Sequence, residues 1–163
     1  MAGFGNTKAD MGFLKKRFDQ NIASGEKLLG SEYWAVIEGY EDISILFKTV
    51  QLPEQARQQI EDTMPGGLTM TQFGAYKNNG ELTWQCVETI EGKVLAVVRD
   101  IILNKKYVNI KISAAAESNS GESKGLTRSL LHCLVFSDAV DFSSEDLTAV
   151  VRPSLRVVYN WVE

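Results

Sequence analysis

Apolar and polar residues alternate along most of the chain after residue 32, and this period of two is typical of half-buried β-strands. β-Branched and aromatic residues, which favour strands, are concentrated in the same stretches. Residues 130–136 are apolar on both faces, which predicts a central strand or one covered on both sides. The predicted strands span residues 33–37, 43–50, 68–76, 81–87, 108–114, 130–136 and 152–162.

Turn signals predict how these strands connect. Residues 39–42 are typical of a hairpin loop between the first two strands. Asn79-Gly80 predicts a tight turn between the strands at 68–76 and 81–87, because both residues tolerate a positive φ. Pro53 cannot donate to a sheet ladder, and the polar stretch 53–67 that begins there is predicted to be a long loop between strands.

The period changes at Glu88, where apolar residues begin to recur at three- and four-residue spacing, as on one face of a helix. Glu88 and Glu91 are expected in its first turn, and Lys105 and Lys106 follow its end, in agreement with the helix dipole. With six or seven antiparallel strands and one packed helix, the predicted fold is mainly β (α+β), an antiparallel β-sandwich or barrel. The apolar face consists of Ile90, Val94, Val97, Val98, Ile101 and Ile102.

Residues 1–31 differ from the rest of the chain. They carry a net charge of +2, which leaves −6 on the remainder. We expect a short amphipathic segment near 12–21 within an extended N-terminal arm; a terminal helix packed on its own domain is the alternative. The predicted organisation is therefore an arm at 1–31 and a single β domain at 32–163. Apolar and basic residues interleave in the arm at Phe13, Leu14, Lys15, Lys16, Arg17 and Phe18.

Composition limits the class of protein. A chain of 163 residues with 44% hydrophobic and 23% charged residues can form a core without a metal or disulfide. The net charge of −4 disfavours a free-standing nucleic-acid binder, which normally carries a basic excess. No apolar run approaches the ~20 residues that cross a bilayer, and the N-terminus lacks the apolar region of a secretory signal. We therefore expect a protein assembled in the cytoplasm, without membrane insertion.

Few residues could support catalysis. His132 is the only histidine, and its neighbour in the predicted strand, Cys133, projects to the opposite face, so the two cannot form a nucleophile–base pair. Cys86 and Cys133 are expected to be small core residues, with a disulfide as the alternative.

Three adjacent acidic pairs could in principle serve glycoside hydrolysis or bind a hard cation, but such pairs are typical of solvated surface. The sequence contains no phosphate-binding loop, no dinucleotide fingerprint and no metal-ligand spacing. We therefore expect no enzymatic activity, no cofactor and no metal. The acidic pairs are Glu41-Asp42, Glu61-Asp62 and Glu145-Asp146.

Three short segments occur in a distinctive order. Residues 47–53 (Phe-Lys-Thr-Val-Gln-Leu-Pro) end a strand with Leu-Pro before the long loop. Residues 82–87 (Leu-Thr-Trp-Gln-Cys-Val) place a tryptophan in the strand before the helix, and residues 154–161 (Ser-Leu-Arg-Val-Val-Tyr-Asn-Trp) close the chain on a Tyr/Trp pair. From about Tyr33 to Glu163 this order resembles the tail tube proteins of bacteriophages with contractile tails, which are related to type VI secretion tube proteins.

The resemblance implies a non-enzymatic virion protein. In that family, hexameric rings join their sheets edge to edge into an inner β-barrel, and the rings stack into a tube inside a contractile sheath. Implied partners are further copies of the chain, the sheath protein, baseplate and tail terminator proteins, and double-stranded DNA that passes non-specifically. The implied location is the virion tail, assembled in the host cytoplasm. A negative subunit agrees with this role, because strong phosphate binding would oppose genome ejection.

By the same resemblance, ring stacking is assigned to the long loop and the arm. Gly66 and Gly67 allow backbone geometry closed to other residues, and Met64 is an adaptable interface side chain. The arm contacts are assigned to the six interleaved apolar and basic residues at 13–18. The candidate stacking residues are Pro53, Gln55, Arg57, Met64, Pro65, Gly66 and Gly67. The candidate lumen-facing residues, which lie on polar strand faces, are Thr83, Gln85, Asn109 and Lys111.

Two alternatives stay open. Within the same assembly class, the chain is a type VI secretion-like tube protein or a baseplate tube initiator. In a different class, it is a small β-barrel that carries an apolar ligand, which requires an internal cavity.

Overall fold

The computed structural model describes residues 8–115 and 125–163, and the chain divides into two units, Met1–Glu32 and Tyr33–Glu163. In the first unit, helix α1 spans Met11–Ala23. In the second, one antiparallel sheet curves into a nearly closed barrel, beside a separate two-stranded hairpin. The strands are β1 (Tyr33–Ile37), β2 (Phe47–Thr49), β3 (Arg57–Thr63), β4 (Thr69–Tyr76), β5 (Gly80–Cys86), β6 (Val108–Ala114), β7 (Arg128–Ser137), β8 (Ser154–Tyr159) and β9 (Trp161–Val162).

The sheet follows the spatial order β1-β6-β7-β8-β5-β2, with β9 beside β7, and every pairing is antiparallel. Helix α2 (Lys93–Leu103) connects β5 to β6 and packs against β7. The predicted mainly β fold with one packed helix is therefore confirmed. Among the described residues, neither helix has the length and apolar character needed to cross a bilayer.

The core confirms the alternation that was read from the sequence. Leu82, Trp84 and Cys86 are buried while the residues between them are exposed, and Trp84 has no exposed surface. Strand β7 is central, as its two apolar faces predicted, because it pairs with β6, β8 and β9. Helix α2 contributes one buried face to the same core, made of Val94, Val98 and Ile101.

Helix α2 begins later than its apolar period predicted. Gly92, with φ of +71°, separates it from Glu88, which was expected in the first turn. The Glu88 carboxylate still satisfies the helix start, because it accepts hydrogen bonds from the backbone N–H groups of Val94 (3.1 Å) and Leu95 (2.8 Å). The first backbone donors of a helix have no partner within it, so a carboxylate at this end is stabilising.

The first predicted hairpin is wrong. Residues 41–46 form a 3₁₀ helix, and β1 and β2 lie at opposite ends of the sheet, where β1 pairs with β6 and β2 with β5. Ile43 is buried and Ile45 is exposed, although a strand would place both side chains on the same face, and Leu46 packs on the core. Ile43 and Leu46 are three residues apart, which is the period of a 3₁₀ helix.

The second predicted hairpin is also wrong. Strand β4 pairs with β3 and not with β5, so much of the expected loop at 53–67 is a strand. The reversal lies at 64–67, where Gly66 and Gly67 adopt φ of +94° and +81° and the Met64 N–H donates to the Leu68 carbonyl at 2.7 Å. Strand β3 was missed because both of its faces are exposed and polar, so it carries no alternation to read.

A β-bulge bends the sheet in the middle of β7. Val108 pairs with Cys133 and Ile110 with Leu130, so two residues of β7 oppose Asn109 alone. The second of them, His132, has φ of +58°, a conformation that non-glycine residues rarely adopt. The first part of β7 therefore pairs with β6 and β9, and the last part pairs with β8.

Two asparagines hold this bulge. The Asn109 side-chain oxygen accepts from the His132 N–H at 3.2 Å, and the Asn160 side-chain nitrogen donates to the His132 carbonyl at 2.8 Å. Asn160 also breaks the predicted closing strand into β8 and β9. Tyr159 before the break is buried with the core, whereas Trp161 after it is 46% exposed and does not join the buried face.

Both cysteines are buried free thiols in the core, as predicted, and they form no disulfide. Burial raises the pKa of each thiol, Cys86 and Cys133, to about 12. The sole histidine is exposed on the opposite face from Cys133, also as predicted, and its ring stacks on Tyr107 with 4.5 Å between centroids.

The bulge generates a first prediction. Asn109→Ala and Asn160→Ala should each lower the free energy of unfolding by about 1 kcal/mol, because each removes a hydrogen bond that holds the strained His132 backbone. Chemical denaturation measures this change. Asn79→Ala is the matched control, because it changes an exposed asparagine outside the bulge; equal stability of all three variants would show that the bulge needs no side-chain support.

The buried thiols generate a second prediction. Unfolding lets both thiols ionise near pH 9, whereas the folded chain keeps them protonated up to about pH 12, so stability should fall as pH rises across this interval. The unfolding midpoint in guanidinium chloride, measured from pH 7 to pH 10, reports the effect. The double variant Cys86→Ala/Cys133→Ala should show a flatter profile; an unchanged profile would contradict the assignment.

Candidate functional site

The groups considered for catalysis lie apart from one another. Glu41 caps its own turn, accepting from the Gly39 N–H at 3.1 Å, and this bond lowers the pKa of the carboxyl. The pair Glu61-Asp62 lies on exposed β3, and Glu145-Asp146 lies in the exposed segment before β8. Within residues 8–115 and 125–163, no three His, Cys, Asp or Glu side chains are grouped as metal ligands.

The interior of the barrel is filled by side chains. Trp84 lies in the core with its ring against Phe47, in an edge-to-face contact of 5.1 Å between centroids. Leu155 and Val157 of β8 are also fully buried there. The indole N–H of Trp84 has no hydrogen-bond partner among the described residues, so packing rather than polar contacts fixes the ring. This filled core does not favour the ligand-carrier alternative, which needs an internal cavity.

The outstanding surface feature is the β3–β4 hairpin. Apart from half-buried Gly74, every residue of its two strands is exposed, although a two-stranded hairpin alone is marginally stable in water. Its large apolar side chains are not covered, and Phe73 is 85% exposed. The register places Phe73 on one face of the hairpin and Ile60 and Met70 on the other, and exposed apolar side chains of this kind mark an interaction site. The exposed apolar residues from 60 to 76 are Ile60, Met64, Leu68, Met70, Phe73 and Tyr76.

The base of the hairpin is tied to the barrel at the break between β8 and β9. The Tyr76 ring contacts Trp161 edge to face, with 6.0 Å between centroids. The Asn78 side chain donates to the Asn160 carbonyl at 3.0 Å, and Lys77 forms an ion pair with Glu54. A surface groove of about 410 Å³ lies beside this base. The break that ends β8 therefore also positions the hairpin.

The candidate stacking residues separate into three places. Pro53 is buried and lines the groove beside the hairpin base, so its side chain offers little surface to another subunit. Gln55 and Arg57 lie at the hairpin base, where the Arg57 guanidinium is 5.8 Å from the centre of the Tyr76 ring. The four residues at 64–67 form the hairpin tip. That the exposed six mediate stacking stays a prediction.

Strand β4 holds interface candidates that the sequence did not identify. Met70 and Phe73 belong to the strand that was predicted to pair with 81–87, but they lie on the exposed hairpin. The signal that could have found them is the turn at 64–67: four residues with two adjacent glycines are typical of a reversal, and a reversal there pairs 57–63 with 69–76.

The arm residues lie on helix α1, so the predicted amphipathic segment at 12–21 is confirmed as a helix. The Asp10 side chain caps it, accepting from the Gly12 N–H at 3.0 Å. No residue of α1 is buried, and the cations lie over the aromatic rings: Lys15 is 5.0 Å from the centre of Phe18 and Arg17 is 5.2 Å from that of Phe13. Leu14 and Lys16 are exposed on the same helix.

The four candidate lumen residues are all exposed on the side of the sheet opposite the core. Thr83 and Gln85 lie on β5, with Arg156 of β8 paired to Thr83. Asn109 is engaged in the bulge and also donates to Glu38 at 3.3 Å, a structural role that the sequence did not predict. Lys111 lies on the same strand as Asn109. Whether this face lines a lumen stays a prediction.

Comparison with solved structures shows that the chain shares its fold with components of contractile injection systems. No protein-family model matches the chain, and no curated protein sequence matches it either. A chain of the PVC sheath–tube complex of an extracellular contractile injection system, in the extended state, superposes with a TM-score of 0.65 at 15% identity. That match covers 88% of this chain and 95% of the other.

Two further structures extend this comparison. A chain of the PVC sheath/tube terminator in the extended state has a TM-score of 0.66 at 14% identity, over 85% of this chain and 96% of the other. A chain of the anti-feeding prophage tube-terminating cap has a TM-score of 0.63 at 12% identity, over 100% and 97%. The barrel, helix and hairpin described above therefore belong to a fold that is found in contractile injection systems.

Proposed function

We propose that this chain is the tube protein of a contractile tail, which forms hexameric rings that stack into an inner tube within a sheath. The observation that carries the proposal is the exposed β3–β4 hairpin. Its apolar side chains cost free energy in water, and no other strand within residues 8–115 and 125–163 lies beside its two strands. A neighbouring ring would cover both, so the hairpin is a stacking element in this arrangement.

The two edge strands of the barrel sheet are a second observation that supports the proposal of a ring. Strands β1 and β2 are the two edges of the strand order, so each leaves one row of backbone donors and acceptors without a partner strand. Edge-to-edge pairing between subunits would satisfy these groups and join six sheets into one continuous inner barrel. Trp34 on β1 is exposed and could pack on the neighbouring subunit at this edge.

In the proposed tube, Thr83, Gln85 and Lys111 face a water-filled lumen. All three are polar and exposed on the sheet face opposite the core, and the subunit as a whole is negative. A negative subunit disfavours tight binding of phosphate groups, so DNA could pass without being held. The proposed partners are the sheath protein, baseplate and terminator proteins, and the proposed location is the tail of a virion assembled in the host cytoplasm.

A second candidate is the tube of an injection system that carries no genome, or a baseplate tube initiator. The likeness to chains from extracellular contractile injection systems favours it. Its subunits would assemble in the same way, so the hairpin and the sheet edges keep the same roles. An injection-system tube differs from the first candidate only in what passes through the lumen, whereas an initiator differs in its position at the baseplate.

Negative-stain electron microscopy of the concentrated, purified protein tests the proposal. Six-fold rings or hollow tubes are expected at near-neutral pH. A chain that stays monomeric at every concentration, and also when seeded with purified baseplates, would contradict a tube function.

Stacking by the hairpin generates a third prediction. Met70→Ser/Phe73→Ser should abolish tubes but leave a folded subunit, because both side chains are exposed and their loss should change stability by less than about 0.5 kcal/mol. Ring and tube counts in electron micrographs, together with the melting temperature, measure the two effects. Ile45→Ser/Ile90→Ser removes two exposed apolar residues elsewhere and is the matched control; tubes from the hairpin variant would refute the stacking role.

A further inference from the structure

An acidic loop with uncovered apolar side chains follows β7. Residues 138–151, hereafter the acidic loop, contain four Asp or Glu and no Lys or Arg. Its ends are fixed: the Asp138 N–H donates to the Ser154 carbonyl at 3.0 Å, and the Val151 carbonyl accepts from Glu88 at 3.0 Å. Between these ends, Phe142 is 80% exposed and Leu147 is 91% exposed. The loop is therefore held in place at its two ends while its large apolar side chains point into water.

An apolar groove of about 190 Å³ lies between the C-terminal end of α2 and the last part of β7, which leads into the acidic loop. Its apolar part comes from α2 and β7, and Lys105, Lys106 and Tyr107 complete the lining. The apolar lining residues are Ile101, Ile102, Leu134, Val135 and Phe136. Lys106 pairs with Asp100 at 2.8 Å, whereas Lys105 has no ion pair among the described residues. The groove is smaller than the ~300–1,000 Å³ of small-ligand pockets, and this size suits a single large side chain.

We propose that the acidic loop of one copy binds the α2–β7 groove of a second copy, with Phe142 in the groove and Asp141 beside Lys105. The charges are complementary: the loop carries four negative charges, and the groove offers two lysines of which one is unpaired. Ile102 in the groove is 46% exposed and Phe142 in the loop is 80% exposed, so one contact would cover an exposed apolar side chain on each side.

The contact joins two different surfaces, so it is heterologous, and a pair of copies still has one free loop and one free groove. Such contacts propagate from copy to copy and close into a ring when the rotation permits. The inference therefore rests on the proposed ring and assigns a specific lateral contact within it, in addition to the sheet edges. Because both subunits are negative, the lysines at the contact would also reduce the repulsion between neighbours.

Cross-linking between two single-cysteine variants tests the contact. Ile102→Cys and Phe142→Cys, mixed under conditions that assemble the wild-type chain, should form a disulfide-linked heterodimer upon mild oxidation. The native thiols do not compete, since both are buried. Ile90→Cys mixed with Phe142→Cys is the matched control, because Ile90 is an exposed isoleucine just before the opposite end of α2, and it should give no heterodimer.

Charge exchange gives an independent readout of the same contact. Lys105→Glu should raise the concentration needed for assembly by ~10-fold or more, and so should Asp141→Lys, because each places like charges together. The double variant should recover most of the loss if the two residues meet. Phe142→Ser should weaken assembly without unfolding the exposed loop.

The outcomes separate this inference from the proposed function. Rings or tubes that form without the heterodimer, and that are insensitive to both charge reversals, would overturn the loop–groove contact and leave the tube function intact. The double variant Ile102→Cys/Phe142→Cys would also overturn the loop–groove contact if its disulfide formed only within one copy. A wild-type chain that assembles under no condition would overturn the contact and the tube function together.

Discussion

Strand β7 changes partners at the backbone of His132, where its pairing passes from β6 and β9 to β8. A sheet of six strands in one plane would leave one face bare, and the bulge in β7 turns the sheet so that it wraps around its own apolar side chains. The bulge costs free energy because His132 adopts a positive φ. Two hydrogen bonds compensate for that cost: the Asn109 side chain of β6 accepts from the His132 N–H, and the Asn160 side chain, at the break between β8 and β9, donates to the His132 carbonyl.

The same region connects the core to the assembly surface. Asn160 ends β8, and the chain immediately beyond it presents Trp161 to Tyr76 at the base of the hairpin. The backbone carbonyl of Asn160 also receives the Asn78 side chain, which fixes the start of β5 relative to the hairpin. A close approach supports this corner, since a Cβ at Gly80 would lie only 2.4 Å from the Tyr159 hydroxyl. Folding of the barrel and presentation of the hairpin are therefore coupled.

The residues that stabilise the subunit are different from the residues proposed to join subunits. The barrel core and the buried face of α2 account for the packing, and they leave both thiols and Trp84 out of contact with water. The surfaces proposed to join subunits add little to that core: the hairpin is exposed on nearly every residue, and the acidic loop is held mainly at its ends. A substitution on such a surface leaves the subunit folded, whereas a substitution of a core residue such as Trp84 removes packing that stabilises the fold.

The amino-acid sequence by itself determined the buried faces of β5 and α2 and the position of most strands, although it missed β3 and the 3₁₀ helix at 41–46. Alternation located Leu82, Trp84 and Cys86 in the core, and three- and four-residue spacing located α2, because these patterns depend only on local geometry. Only the tertiary structure decided which strands pair. A period of two does not identify the partner of a strand, so the sequence allowed the strand at 68–76 to pair with 81–87. In the structure the glycines at 66 and 67 reverse the chain, and this strand pairs with 57–63. The bulge was also hidden, because the strain at His132 is possible only when Asn109 and Asn160, distant in sequence, approach it from both sides.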